Sequence, residues 1–305
     1  MSDIVSISSP RLSAQISATG AELVRLQDGR GSDLLWNGDA AFWTGHAPLL
    51  FPIVGEVKGN RIKVAGAEYE IGRHGFARTS TFALVSSDTA QCTWRLEASE
   101  ATRRQYPFEF RLDVTYRIEG ATLHMTAEVT NRGDGAMPAA FGFHPALRWP
   151  LPYGKPRAAH EIVFERDEPA PIRRPIDGLL SSARYPTPVR GRRLVLDDGL
   201  FEDGAIVFDR LASRSLVYGE ALGVSFSRMP HLGIWTKPGA GYVCIEPWQG
   251  HASPEDFDGE LADKPGMVAI MPGTSESFGM SIGLIGVSAT PPTAPIRSAT
   301  PASGR

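Results

Sequence analysis

From residue 108 to residue 129 the chain alternates apolar and polar side chains almost without a break. Phe108, Phe110, Leu112, Val114, Tyr116 and Ile118 interleave with Glu109, Arg111, Asp113, Thr115 and Arg117. After Glu119-Gly120 the alternation resumes, with Leu123, Met125, Ala127 and Val129 set among Thr122, His124, Thr126 and Glu128. A period of two sends successive side chains to opposite faces, so each run is a strand with one dry face. Two such runs joined at a glycine turn make an antiparallel hairpin, which needs a sheet and a second apolar layer to cover it. His124 falls on the polar face, as a solvated or cross-strand residue.

The rest of the chain repeats this design in shorter pieces. Strands are expected at Ile4 to Ser8, Leu12 to Ile16, Glu22 to Leu26, Arg61 to Ile71, Thr81 to Ser86 and Gln91 to Ala98. Others are expected at Glu161 to Glu165, Arg193 to Leu196, Ala205 to Phe208, Ser215 to Val217, Val224 to Ser227, Gly233 to Thr236, Gly241 to Glu246 and Gly266 to Met280. The 32 glycines and 24 prolines punctuate these runs with tight turns. No segment keeps an apolar helical period for more than about two turns. Many strands without crossover helices imply an all-β protein of antiparallel sheets packed face to face, and argue against a doubly wound nucleotide fold. Large all-β folds run well past the usual domain size, so one domain is expected over 1–287. The Pro, Ala, Ser and Thr of 288–305 offer no apolar period to bury and predict a disordered tail.

Charge excludes several partners. The chain carries 31 Lys and Arg against 34 Asp and Glu, a formal charge of −3, with no long run of one sign. Nucleic-acid binding needs a basic surplus or stripe, and none is present. No stretch approaches the roughly 20 apolar residues that span a bilayer. Met1 to Pro10 lacks the basic start and apolar stretch of a secretory signal, which points to the cytoplasm. The two cysteines, Cys92 and Cys244, sit in no C-x-x-C pattern and read as small core residues, so neither a disulfide framework nor a zinc site is expected.

Three acid/base candidates lie in apolar contexts marked by glycine or proline. His74, in Arg73-His74-Gly75-Phe76-Ala77-Arg78, follows a strand end, and Gly75 lets the backbone approach a cavity closely; a turn or core histidine is the competing reading. His144 closes Ala139-Ala140-Phe141-Gly142-Phe143-His144-Pro145, where Phe141 and Phe143 face one way and Gly142 and His144 the other. Pro145 removes a ladder donor, so the strand is expected to end with the imidazole at its rim. Glu246 repeats this arrangement before Pro247, sharing a face with Tyr242 and Cys244. A carboxylate in such apolar company is costly unless paired or protonated, and burial raises its pKa. A plain ion-pair partner is the alternative.

With these residues in place the chain resembles the aldose 1-epimerase, or galactose mutarotase-like, superfamily, especially its shorter bacterial branch that includes the LacX proteins. The matching stretches are Ala47-Pro48-Leu49-Leu50-Phe51-Pro52-Ile53-Val54-Gly55, His74-Gly75-Phe76-Ala77-Arg78, Gly142-Phe143-His144-Pro145-Ala146, and Leu232-Gly233-Ile234-Trp235-Thr236-Lys237-Pro238 running into Cys244-Ile245-Glu246-Pro247-Trp248. They stand in family order across roughly residues 10 to 285. The resemblance implies a single large β-supersandwich and interconversion of the α and β anomers of a free aldose. It implies Glu246 as the base at the C1 hydroxyl, His144 as the acid at the ring oxygen, and His74 as a hydrogen-bonding partner near that oxygen. By the same resemblance Arg61 and Arg78 are candidate sugar-binding groups, with a hairpin-surface arginine the competing reading for Arg61; Trp235 is a flat face for the ring or else a core tryptophan, and Asp203 the hydroxyl-binding acid, although its surroundings depart from the family pattern. No nucleotide, metal or redox cofactor is expected, and the protein is expected to be a monomer or weak homodimer acting on a small-molecule sugar. Arg73 and Arg78 beside His74 keep a hexose-phosphate epimerase open as an alternative. A sugar-binding protein without turnover and a glycoside hydrolase, which needs paired carboxylates, are the other readings.

Overall fold

The strands Phe110–Glu119 and Thr122–Asn131 pair with Glu119 opposite Thr122 and Phe110 opposite Asn131, the register that the alternation and the Gly120-Ala121 turn dictate. In the computed structural model, which describes residues 3–286, they form the centre of a nine-stranded antiparallel sheet. Its order runs from Arg193–Val195 through Glu161–Phe164, Ser215–Tyr218, Leu222–Ser227 and Ser275–Leu284 to the central pair, then to Gln91–Glu97 and Ala83–Ser87. The tail expected over 288–305 lies outside the described residues.

A second sheet packs against the inner face of the first. It runs Ile206–Phe208, His231–Trp235, Tyr242–Gln249, Phe141–Phe143 and Leu49–Leu50, with Ala146–Arg148 also paired to Tyr242–Gln249. Leu112, Val114, Phe278 and Ile282 from the large sheet meet Phe141, Phe143, Leu232, Val243 and Ile245 from the small one in a single buried cluster. Phe141 and Phe278 stack across the gap with ring centroids 5.5 Å apart and planes 6° from parallel. A three-stranded sheet, Ile4–Ser8, Leu12–Ser17 and Leu23–Asp28, joins the same core, and the buried Tyr116 hydroxyl donates to the Ala21 carbonyl at 2.7 Å. The sequence thus folds as an all-β protein of packed antiparallel sheets. The one α-helix among the described residues is the single turn Glu100–Arg103, and no helix is long and apolar enough to cross a membrane.

Three strand expectations are corrected. Arg61 to Ile71 is a hairpin, Arg61–Val64 with Ala67–Glu70, because Ala65 and Gly66 both take positive φ and reverse the chain without breaking the alternation. Gly266 to Met280 divides into Val268–Ile270, paired with Met137–Ala139, and Ser275–Leu284 in the large sheet, with Pro272-Gly273 in the turn between. Glu246 does not end its strand, which continues to Gln249. The donor missing at Pro247 falls on the edge where Ile245 N–H reaches the Pro145 carbonyl, beside the gap between Phe141–Phe143 and Ala146–Arg148. There the ladder has no bond for Pro247 to break.

Candidate active site

The face of the small sheet turned away from the main core carries the chemistry. Along Tyr242–Gln249, Val243 and Ile245 point into the core, so Tyr242, Cys244, Glu246 and Trp248 must emerge on the other side. Phe141 and Phe143 likewise enter the core, which turns Gly142 and His144 to this open face, as their spacing implied. The result is a His144 Nε2 to Glu246 Oε2 distance of 3.0 Å, with both side chains more than nine-tenths buried.

His74 arrives from a different part of the chain. Its φ of 66° is unusual for a residue with a Cβ, and Gly75 follows at 70°. A Cβ on Gly75 would sit 2.2 Å from the Phe51 carbonyl oxygen, so only glycine permits this approach. The Gly55 N–H donates to His74 Nδ1 at 3.0 Å, which leaves the proton of the neutral ring on Nε2. The His74 and His144 rings stand at 88° with centroids 5.8 Å apart. Three residues separated by up to 172 positions therefore meet at one place.

Aromatic side chains wall this place. Trp43 and Trp235 flank His144 at centroid distances of 5.1 and 6.2 Å. Trp248 lies flat across the sheet over Gly142 and Gly233, where added Cβ atoms would come within 2.6 and 2.3 Å of its ring. The cavity they enclose is about 540 Å³, within the range of small-molecule sites, and Glu246 is the one carboxylate among the described residues that line it.

Sequence reasoning missed Trp43, Trp248 and His251. His251 lines the cavity, and its Nδ1 donates to the Ala252 carbonyl at 2.8 Å, so Nε2 keeps a lone pair. His74 thus brings a donor nitrogen and His251 an acceptor nitrogen to one cavity. Trp235, Arg73 and Arg78 line it as well. Arg73 is paired with Glu56, whereas Arg78 is exposed and makes no ion pair among the described residues. Arg61 and Asp203 are not brought to the cavity. Arg61 pairs with Glu68 across its hairpin at 3.1 Å beside a separate hollow, and Asp203 is exposed, its charge felt by Arg174. The positions of both depend on long-range packing that a local sequence match does not encode.

Burial governs protonation. It pushes the His144 imidazole down to about 4, its own carbonyl opposing the shift slightly and the charge of Arg78 adding to it. It holds His74 well below the ordinary histidine value, with His144 and the charges of Arg78 and Arg73 acting the same way. It raises the Glu246 carboxyl well above the usual carboxylate range. The Trp248 indole N–H opposes that rise from nearby, but it lacks hydrogen-bond geometry and stays unpaired. Glu246 and His144 therefore both favour their neutral forms, and the pair holds one proton between Oε2 and Nε2.

The same floor offers metal donors. A nitrogen of His144, Cys244 Sγ and a Glu246 oxygen lie within 4.8 Å of one another, all buried. Cys244 is a buried free thiol, as the sequence implied, but it is also a neighbour of the acid/base pair.

The fold and site together define an all-β protein with one imidazole–carboxylate pair at the floor of an aromatic-walled cavity of small-molecule size. The chain belongs to the aldose 1-epimerase family, which it matches over residues 3–265. It is 31% identical to the plasmid-encoded protein LacX of Lactococcus lactis over 276 residues, 86% of this chain and 92% of that one. Among solved structures it resembles a galactose mutarotase related enzyme from Lactobacillus acidophilus, at 30% identity and a TM-score of 0.83, covering 92% of this chain and 97% of the other. A galactose mutarotase-like protein from Lactobacillus casei shares the fold at a TM-score of 0.86 and 24% identity, over 92% of this chain and all of that one.

Proposed function

We propose that the protein is an aldose 1-epimerase acting on a free sugar, and the 3.0 Å contact between the buried His144 Nε2 and Glu246 Oε2 is the observation that carries the proposal. Mutarotation needs a proton removed from the C1 hydroxyl and another delivered to the ring oxygen. In the ion-paired form of the pair, Glu246 is the carboxylate that accepts the C1 proton and His144 the imidazolium that gives its proton to the ring oxygen. The C1 to ring-oxygen bond breaks, a carbonyl forms at C1, and the sugar opens to the aldehyde. Rotation about C1–C2 and the reverse transfers close the other anomer. The pair begins and ends with one proton, so no outside acid or base is consumed. His74 Nε2–H is a suitable donor to the ring oxygen, where charge develops. Each positioned transfer is worth roughly 10²–10⁴-fold.

Trp235 and Trp248 give apolar faces for a sugar ring, and His251 an acceptor for a hydroxyl. One specific observation favours a second reading. Arg78 borders the cavity without a carboxylate partner among the described residues, which suits a phosphorylated hexose. Glycoside hydrolysis lacks support, because a second cavity carboxylate is missing from the described lining. The test is anomer exchange, followed by polarimetry or NMR, for glucose, galactose and glucose 6-phosphate in parallel. Acceleration of the neutral sugars is expected. Exchange accelerated for the phosphate alone would replace the first reading with the second, and spontaneous rates throughout would leave a binding protein.

A further inference from the structure

Cys244 stands two residues before Glu246 on the same face of the same strand, and His144 reaches both from the facing edge. This places one imidazole nitrogen, one thiol sulfur and one carboxylate oxygen within 4.8 Å of one another, all buried, with His144 and Glu246 lining the cavity and Cys244 packed behind them in a cluster that Trp43 and Trp235 cover. We propose that these three residues form a binding site for a zinc-class divalent cation, and that the bound ion closes the active site.

The donor set decides the class of ion. Calcium and magnesium prefer shells of oxygen alone, whereas mixed nitrogen, sulfur and oxygen donors suit zinc, cobalt or cadmium. Tetrahedral bonds of about 2.0–2.3 Å place ligand atoms roughly 3.3–3.6 Å apart. The widest separation here, at most 4.8 Å, must therefore close by about 1 Å, within reach of a rotation about the Cys244 Cα–Cβ bond. His144 Nε2 and Glu246 Oε2 already stand 3.0 Å apart. The fourth position of the ion faces the cavity, where water or a sugar hydroxyl completes the shell. Binding releases two protons, the thiol's and the one shared by the pair, so the metallated site has neither base nor acid to offer. Loss of turnover rests on the epimerase reading, but binding of the ion does not.

Cobalt(II) is the direct probe, because a thiolate ligand gives it a near-ultraviolet charge-transfer absorption that oxygen and nitrogen ligands lack. One equivalent of cobalt added to the wild-type protein is expected to produce that band, and zinc to bleach it. Cys244→Ser is expected to lose the band and to bind zinc at least about tenfold more weakly, since even outer-shell changes at metal sites cost 10–100-fold. With each protein read against its own metal-free rate of anomer exchange, zinc should inhibit the wild type at concentrations that leave the variant's rate unchanged, and a chelator should restore the wild type. The Cys92→Ser control should keep the band. If Cys244→Ser fails to fold, Cys244→Ala replaces it, and the wild-type spectrum stands on its own. Absence of a thiolate band, or equal zinc affinity in wild type and Cys244 variants, overturns the proposal. Because the absorption is read without substrate, it remains decisive whatever the anomer-exchange assay returns.

Discussion

Lys264 gives the sharpest test of the electrostatics behind the cavity. Its side chain is 3% exposed, and its ammonium donates to the His251 carbonyl with no carboxylate partner among the described residues. Burial lowers it from 10.5 to about 7. At about 1.4 kcal/mol per pKa unit, holding that amine in the fold at neutral pH costs about 4 kcal/mol relative to an exposed lysine. Lys264→Met keeps the stem, removes the charge, and forfeits a charge-assisted hydrogen bond worth about 1.5–3 kcal/mol. The variant should therefore be more stable by roughly 1–3 kcal/mol near pH 7. The pH dependence is more diagnostic. Between pH 7 and 9 the unfolded lysine stays charged while the folded one loses its proton, so the unfolded state binds more protons and stability rises with pH. The wild type should gain about 2 kcal/mol over that span, and the methionine variant should lack this gain. Urea unfolding of both proteins at the two pH values measures it. Equal slopes, or a methionine variant less stable near pH 7, would refute the reasoning.

Protonating the Glu246–His144 pair a second time requires His144 to ionise at about 4, so kcat/KM should stay level as pH falls from neutral and decline only near that value. An acid limb near 6.5, the ordinary histidine value, would show His144 to be solvated instead. His251→Ala should raise KM roughly two- to tenfold with kcat nearly unchanged, the equivalent of one neutral hydrogen bond of about 0.5–1.5 kcal/mol; a fall in kcat alone would contradict this. Phe141→Ala, which removes the ring stacked on Phe278, should lower unfolding free energy by about 3–5 kcal/mol in urea.

Period-two alternation carried most of the fold because it survives wherever one face of a strand is dry, as in the antiparallel hairpin of Phe110–Glu119 and Thr122–Asn131. It failed where it could not distinguish one strand from two. Arg61 to Ile71 keeps its alternation through a two-residue reversal, and Gly266 to Met280 changes sheets at a turn. His74, His144 and Glu246 stood out because each is a polar residue set among apolar ones beside glycine or proline. Trp248 and Trp43 did not, since a tryptophan walling a cavity and one filling a core look alike along a chain. The signal for Trp248 lay instead in Gly142 and Gly233, whose missing side chains make room for its ring. Arg61 was placed by a local match, and its hairpin lines a separate hollow; Asp203 was placed although its surroundings depart from the family pattern, and it stays out of the cavity lining while Gly204 and Ala205 beside it belong to it.

As the proposed epimerase base, Glu246 must exchange a proton with the substrate inside a folded protein. Glu246→Gln preserves the size of the side chain and its hydrogen bonding but cannot serve as the base. Anomer exchange by this variant should fall at least about 100-fold, toward the spontaneous rate, with an unfolding transition close to that of the wild type. Equal rates for the two folded proteins would contradict the account.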